Sequence, residues 1–473
     1  MIRLLALLGP LACLTVTVGR AAASDCRSLG LDATLARIAP EIHSYLLPNG
    51  LRVHLVPRAG EATLSLRVAY DVGARDEPEG RSGTAHLFEH MMFKGSSQIP
   101  DGGHFRIVRD TGGRVNAMTD YDSTEYWNTL PSDGLGRVLV AEADRMRSVR
   151  ITPANLENQR AAIEEEGLGL ENLPYVSAAA EFGLALWAGT PYGHSPIGTE
   201  EELAALSEAE ARAFHAAYYA PGNAVLVIVG GFDVAAARER IAETFGSLPA
   251  GDPRPARQAF EVDRRARAEV IPDPLAPFPV YAVVWHAPSA RSDQALAVRV
   301  IDRMLLGHSN ARFARSIKGP LALDAYSVPL AFRDVGLLNY VFAPRTFASF
   351  EEIEAVVRQE VSSLREQGPT AVELCESVRR EQAERLAALD TNEGVAAAIA
   401  RGALLEDDPW RFAEELRALD ALDPEAIRRV AQSVLVDDFL TLEIQPTGLM
   451  RWLKPLLELL PSSVGAGLEG WLL

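Results

Sequence analysis

The sequence predicts an α+β fold built from a repeated unit, on three observations. Short apolar runs in period-two alternation, bounded by Pro, Asn and Gly, read as strands. Long Ala-, Glu- and Leu-rich stretches between them carry helical periodicity. The order of elements then occurs twice along the 473 residues, the mark of two similar halves.

The chain opens with an address. Arg3 precedes an apolar run interrupted by Gly9-Pro10, and small residues lead to Ser24. This is the pattern of a secretory signal peptide, residues 1–23, cleaved after about Ala23, and it predicts a periplasmic or secreted protein. Cys26 and Cys375 remain after cleavage, and a disulfide between them and two separate thiols are both open. The net charge of −18 becomes more negative once Arg3 and Arg20 are removed. A long basic groove for nucleic acid is excluded on that balance.

The first half spans residues 24–249. "SYLLPNGLRVHLVPR" and "ATLSLRVAYDVGA" read as strands with a hairpin, followed by helices over 84–94 and 102–111. "GGRVNAMTDYDSTEYWNTLP" reads as strand, turn and strand, and residues 135–187 as helical. "NAVLVIVGGF" is a fully apolar strand, after which Asp233 caps a helix. Residues 250–258, "AGDPRPARQ", form the linker.

The second half, 259–447, restarts with "YAVVWHAPS" as strand and "DQALAVRVIDRMLLG" as helix. "LDAYSVPLAF" and "GLLNYVFAP" are paired strands, residues 350–435 are helical, and "DFLTLEIQP" closes the half. The tail, 448–473, is apolar but broken by Pro455 and Pro461, so it does not span a membrane as one helix. It reads as a cover for the domain's own core; docking to a partner or a membrane surface stays open, with two basic residues too few to argue it.

The chemistry lies in "SGTAHLFEHMMFKGS", residues 82–96. His86 and His90, four apart, share one helix face, and Glu89 flanks it. The spacing H-x-x-E-H is the inverted zinc motif. Two neutral imidazoles bind the ion, while a carboxylate that does not coordinate takes a proton from water. A catalytic zinc wants a third protein ligand. In "LENQRAAIEEEGLGLENLPY", Leu156, Ile163 and Leu170 mark one helical face. Glu166 turns most easily toward it, whereas Glu164 and Glu165 read as solvated. His104, His194 and His286 have no partner at ligand spacing and read as structural or surface residues.

"GARDEPEGRSGTAHLFEHMMFKGS" resembles the active-site helix of the pitrilysin-like zinc metallopeptidases, the inverzincin group that includes insulinase and the mitochondrial processing peptidase. "GGRVNAMTDYDSTEYW", "PYGHSPIGTEEEL" and "YYAPGNAVLVIVGGF" resemble its further landmarks in the same order. The likeness covers about residues 42–445 and is most specific in the first half. It implies two homologous halves, each of two related α/β-layer subdomains, closing like a clam shell around a chamber. It also implies one Zn2+ per chain held by His86, His90 and Glu166, with Glu89 as general base and Asn116 beside the scissile bond.

Two departures stand out. Many relatives carry a second glutamate seven residues before the ligand, and here that position is Gln159. Active relatives place an arginine and a tyrosine in the second half, and in "RFARSIKGPLALDAYSV" Lys318 and Tyr326 do not align with them. Core packing is an equal reading for Tyr326. The resemblance therefore implies an endopeptidase acting on peptides or unfolded segments. Its alternative is a weak or non-catalytic subunit, with a homodimer or a heterodimer with a related chain as possible assemblies.

Overall fold

The computed structural model describes residues 31–447 except Pro40 and Phe347. The signal-peptide reading, Cys26 and the tail from residue 448 lie outside the described residues. Cys375 is disulfide-bonded.

The described chain starts with α1 (Leu31–Ile38), β1 (His43–Leu46), β2 (Arg52–Pro57) and β3 (Thr63–Tyr70). Then come α2 (Thr84–Met91), α3 (Gly103–Asp110), β4 (Arg114–Thr119) and β5 (Thr124–Pro131). The helical stretch expected over 135–187 is three helices: α4 (Leu135–Ser148), α5 (Pro153–Glu171) and α6 (Val176–Leu186). Thr152 caps α5 by accepting from the Asn155 amide, with Pro153 in the first turn, where its missing N–H costs nothing. Two helices not anticipated from the sequence, α7 (Glu200–Ala205) and α8 (Glu208–Tyr218), precede β6 (Ala224–Gly230) and α9 (Val234–Phe245). Asp233 accepts from the Ala236 amide at the start of α9.

After a stretch without helix or strand come β7 (Ala268–Asp273), β8 (Val280–Ala287), α10 (Ala295–Leu305) and α11 (Arg312–Ser316). The expected strand pair appears as β9 (Ala322–Ser327), β10 (Leu330–Ala331) and β11 (Gly336–Pro344). Helices α12 (Phe350–Gln367), α13 (Ala371–Ala388), α14 (Asn392–Glu406), α15 (Arg411–Leu419) and α16 (Pro424–Val434) lead to β12 (Leu440–Pro446).

Each half supplies one sheet, and the two share a wiring plan. The first runs β1-β2-β6-β3-β5-β4 and the second β10-β11-β8-β12-β7, with β9 also paired to β11. In the first sheet β2 is parallel to β6, which is antiparallel to β3, then β5, then β4. In the second, β7 is parallel to β12, which is antiparallel to β8, then β11, then β9. The duplicated α+β fold is thus present over five strands of each sheet, with β1 and β10 outside the shared plan. β7, exposed along much of its length and ending in Pro272-Asp273, gave no alternating signal in the sequence.

The halves also exchange helices. Val395, Ala396 and Ile399 of α14 share one apolar core with Ala69, Val225 and Val227 of the first sheet. Ala178, Phe182 and Leu186 of α6 share another with Val280, Ala282 and Val284 of the second. Each sheet is covered on one face by a helix from the opposite half, with large burial of apolar surface as the driving term.

Candidate metal centre

Helix α2 is embedded rather than amphipathic: Thr84, Ala85, His86, Leu87, Phe88 and Met91 are all buried. The expected helix over 84–94 stops at Met91, with Met92 at its C-terminal end. Phe88 stacks on Tyr219, their ring centroids 5.2 Å apart. Tyr126 donates its hydroxyl to the Phe88 carbonyl at 3.0 Å, and Tyr219 donates to that of Ala85 at 3.3 Å. Surrounding aromatics therefore fix the rotation of the helix that carries both histidines.

The helix start is held from outside. Gly83, left-handed at φ 82°, occupies the N-cap and has no side chain to satisfy the first amides. Glu77 supplies the missing acceptor, taking hydrogen bonds from the Gly83 amide at 2.8 Å and the Ala85 amide at 2.7 Å. His194 Nε2 stands 2.9 Å from the same carboxylate. The Ser82 amide donates to Glu202 at 2.7 Å. A Cβ on Gly198 would lie 2.4 Å from the Ser82 carbonyl, so the two glycines allow these backbones to cross. The landmark "PYGHSPIGTEEEL" is thus a clasp around the beginning of α2. Sequence reading missed Glu77. The one sequence hint is weak, a glycine at the N-cap with a carboxylate a few residues upstream.

Glu166 reaches the same face from α5. Ligand atoms of His86, His90 and Glu166 lie within 4.8 Å of one another, and among the described residues this is the one such group. The Glu166 carboxylate is 3.7 Å from His86 Nε2 and 3.6 Å from His90 Nε2. Those separations are too long for hydrogen bonds. They sit near the roughly 3.3 Å edge of a tetrahedron with ligands at ~2.0–2.1 Å, so the donor set fits a zinc ion. Glu164 and Glu165 are exposed, as Glu166 itself is, and among the described residues neither joins the group. One detail differs from expectation: Leu170 is 38% exposed, because the last turn of α5 leaves the core that Leu156 and Ile163 share.

Electrostatics favour neutral ligands. Burial, reinforced by His90, pulls His86 down to about 4 against the attraction of Glu166. Burial also lowers His90, opposed by Glu166 and by a hydrogen bond with Gln159. Glu89 sits next to β4. Burial raises its carboxyl above the usual range, with Glu166 adding to the shift and Thr119 opposing it. The outer partners are uneven. Gln159 is buried against His90, whereas His86 Nδ1 is buried without a hydrogen-bond partner.

Asn116 lies exposed on β4, at the edge of the first sheet. Tyr326 is 51% exposed, so core packing does not account for it. Its hydroxyl donates to Asp324 at 2.7 Å, and Lys318 pairs with the same carboxylate at 2.5 Å. His104 is buried 3.4 Å from Glu142, in a network with Arg145.

An H-x-x-E-H helix facing a third carboxylate, on a duplicated α+β scaffold, defines an inverzincin-type peptidase class. The family model described as "Insulinase (Peptidase family M16)" matches residues 52–195, and "Peptidase M16 inactive domain" matches 205–380. The chain belongs to this pitrilysin-like family. It is 25% identical over 419 residues to zinc protease PqqE of Helicobacter pylori, covering 87% of this chain and 94% of the relative. It is also 25% identical over 407 residues to mitochondrial-processing peptidase subunit beta of Blastocladiella emersonii, covering 84% and 87%. A protease structure from Helicobacter pylori superposes with TM-score 0.80 at 23% identity, over 86% of this chain and 99% of that one. The periplasmic protease PqqL from Escherichia coli gives 0.73 at 20% identity, over 91% of this chain and 50% of that one.

Proposed function

We propose that the chain is a secreted or periplasmic zinc endopeptidase cleaving peptides or unstructured segments. One observation carries the reading: His86, His90 and Glu166 converge from two helices, while Glu89 stands outside the converging set. These three residues would hold one Zn2+ per chain. Zinc, when bound, supplies Lewis acidity toward the scissile carbonyl and toward water. Glu89 accepts the proton of the attacking water and returns it to the leaving amine. An edge strand such as β4 pairs with an extended substrate backbone, and the Asn116 amide both donates to it and accepts from it. The signal-like residues 1–23 support export, as does the likeness to a protein described as a periplasmic protease.

A second reading has its own support. Gln159 replaces a carboxylate behind His90, and His86 Nδ1 lacks an outer partner. Both features weaken ligand basicity, as expected of a weak or non-catalytic subunit acting with a related chain. Metal content and peptide cleavage, measured together for the parent, Glu89→Gln and His90→Ala, separate the readings. Catalysis by this site requires Glu89→Gln to keep zinc and lose at least about 10²-fold in rate. It also requires His90→Ala to lose both. A zinc-replete parent inert on unstructured peptides supports the subunit reading.

A further inference from the structure

A second site lies far along the chain from these residues, among the helices of the second half. A cavity of about 330 Å³ opens between α10, α13, α14 and α15. Its walls are largely apolar, with Leu389, Ala398, Leu405, Phe412 and Leu416 among them. Four arginines also line it, Arg299, Arg385, Arg401 and Arg411, against only two carboxylates, Glu406 and Glu415. On a chain of net charge −18 this is a local excess of positive charge.

The carboxylates are already engaged. Arg385 pairs with Glu415 at 2.5 Å and with Glu381, outside the cavity, at 2.7 Å. Arg411 takes Glu406 at 3.0 Å and Glu415 at 3.5 Å. Arg299 and Arg401 form no ion pair or hydrogen bond among the described residues. Arg385 Nη2 is buried without a hydrogen-bond partner. Burial, reinforced by Arg385 and Arg401 and opposed by Glu415 and Glu381, lowers Arg299 to about 10. Glu415 and Glu381 attract Arg299 through space, but both carboxylates are held directly by Arg385, so the Arg299 guanidinium keeps its own hydrogen-bonding edge unused at the cavity wall.

We infer that this cavity binds a small organic carboxylate with an apolar body, its carboxylate on Arg299 and its chain along Leu389, Ala398 and Phe412. The planar guanidinium matches a carboxylate in two parallel hydrogen bonds. A singly charged anion is preferred over phosphate because the apolar walls penalise the stronger hydration of a dianion. The volume suits a compact ligand within the usual range of small-molecule pockets. The site does not depend on the metal centre. Its wall helix α14 presents Gly394, Ala398 and Arg401 to the cavity, while Val395 and Ile399 join the core shared with the first sheet.

Titration calorimetry of the full chain with octanoate, with and without zinc, tests the inference. Octanoate is expected to bind, octanol at least tenfold more weakly, and Arg299→Gln to weaken octanoate at least tenfold. Hydrogen exchange should slow in residues 392–406 on octanoate addition. Ala398→Leu narrows the cavity without changing charge, and it decides the matter if Arg299→Gln melts below the assay temperature. Equal binding of octanol, undiminished octanoate binding to Arg299→Gln or Ala398→Leu, or no octanoate binding at millimolar concentration would each overturn the inference.

Discussion

His194 and Glu77 meet 2.9 Å apart at the head of the helix that carries His86 and His90. The Glu77 side chain is buried, and burial pushes its carboxyl up to about 7 against the pull of His194 and two helix amides. Burial alone would depress His194, but the hydrogen bond and charge of Glu77 outweigh it and raise its titration.

Both groups hold protons more tightly in the folded chain, so their effects on stability share a sign. The Glu77 contribution is complete below its ordinary value of 4.5 and is lost as pH rises through about 7. His194 adds a loss that begins near 6.5. Buried His86 and His90 pull the other way, so the test is a difference. In thermal melts of metal-free protein from pH 4.5 to 8.5, the parent should lose stability relative to Glu77→Gln by on the order of 1–3 kcal/mol across this window. A curve unchanged in the variant would show that the pair does not titrate in this way.

The clasp makes a steric prediction. Gly198→Ala forces a Cβ to 2.4 Å from the Ser82 carbonyl at φ 81°, whereas Gly80, at φ 71°, has nothing within 4 Å. Gly80→Ala should cost only the left-handed penalty of about 1–2 kcal/mol. Gly198→Ala should cost more and also weaken zinc binding, read by chelator competition. Equal melting temperatures for the two variants would refute the clasp.

Gln159→Glu places a carboxylate behind His90. Zinc affinity should rise by about tenfold, within the usual range for such outer partners. Competition with a fluorescent chelator measures it. No change, or a loss, would mean that the neutral amide already orients the imidazole fully.

Asn116→Ala should leave zinc content untouched and lower kcat/KM on unstructured peptides by roughly tenfold, as expected for one lost backbone contact. If zinc is lost as well, Asn116 acts on the metal site and not on substrate.

Legibility in the sequence followed locality. The spacing of His86, Glu89 and His90 is a property of one helical turn and could be read directly. Glu166 emerged because the face marked by Leu156 and Ile163 singled it out among three acids, although its carboxylate stays half exposed. Glu77 did not emerge, because a carboxylate arriving from a preceding loop leaves no periodic trace. Nor did the partnership of α6 and α14 with opposite sheets: an apolar face announces that it will be covered, but not by which sheet.

That exchange bears on how the molecule would behave if severed. Each half lends the other a helix lining one of its cores, so neither can bury its own sheet alone. A nick between residues 250 and 258 should leave two fragments clamped together, and the same pieces made as separate polypeptides should fold mainly in each other's company. An architecture tied in this way converts readily from one long polypeptide to a two-chain assembly by simple fission of its coding sequence.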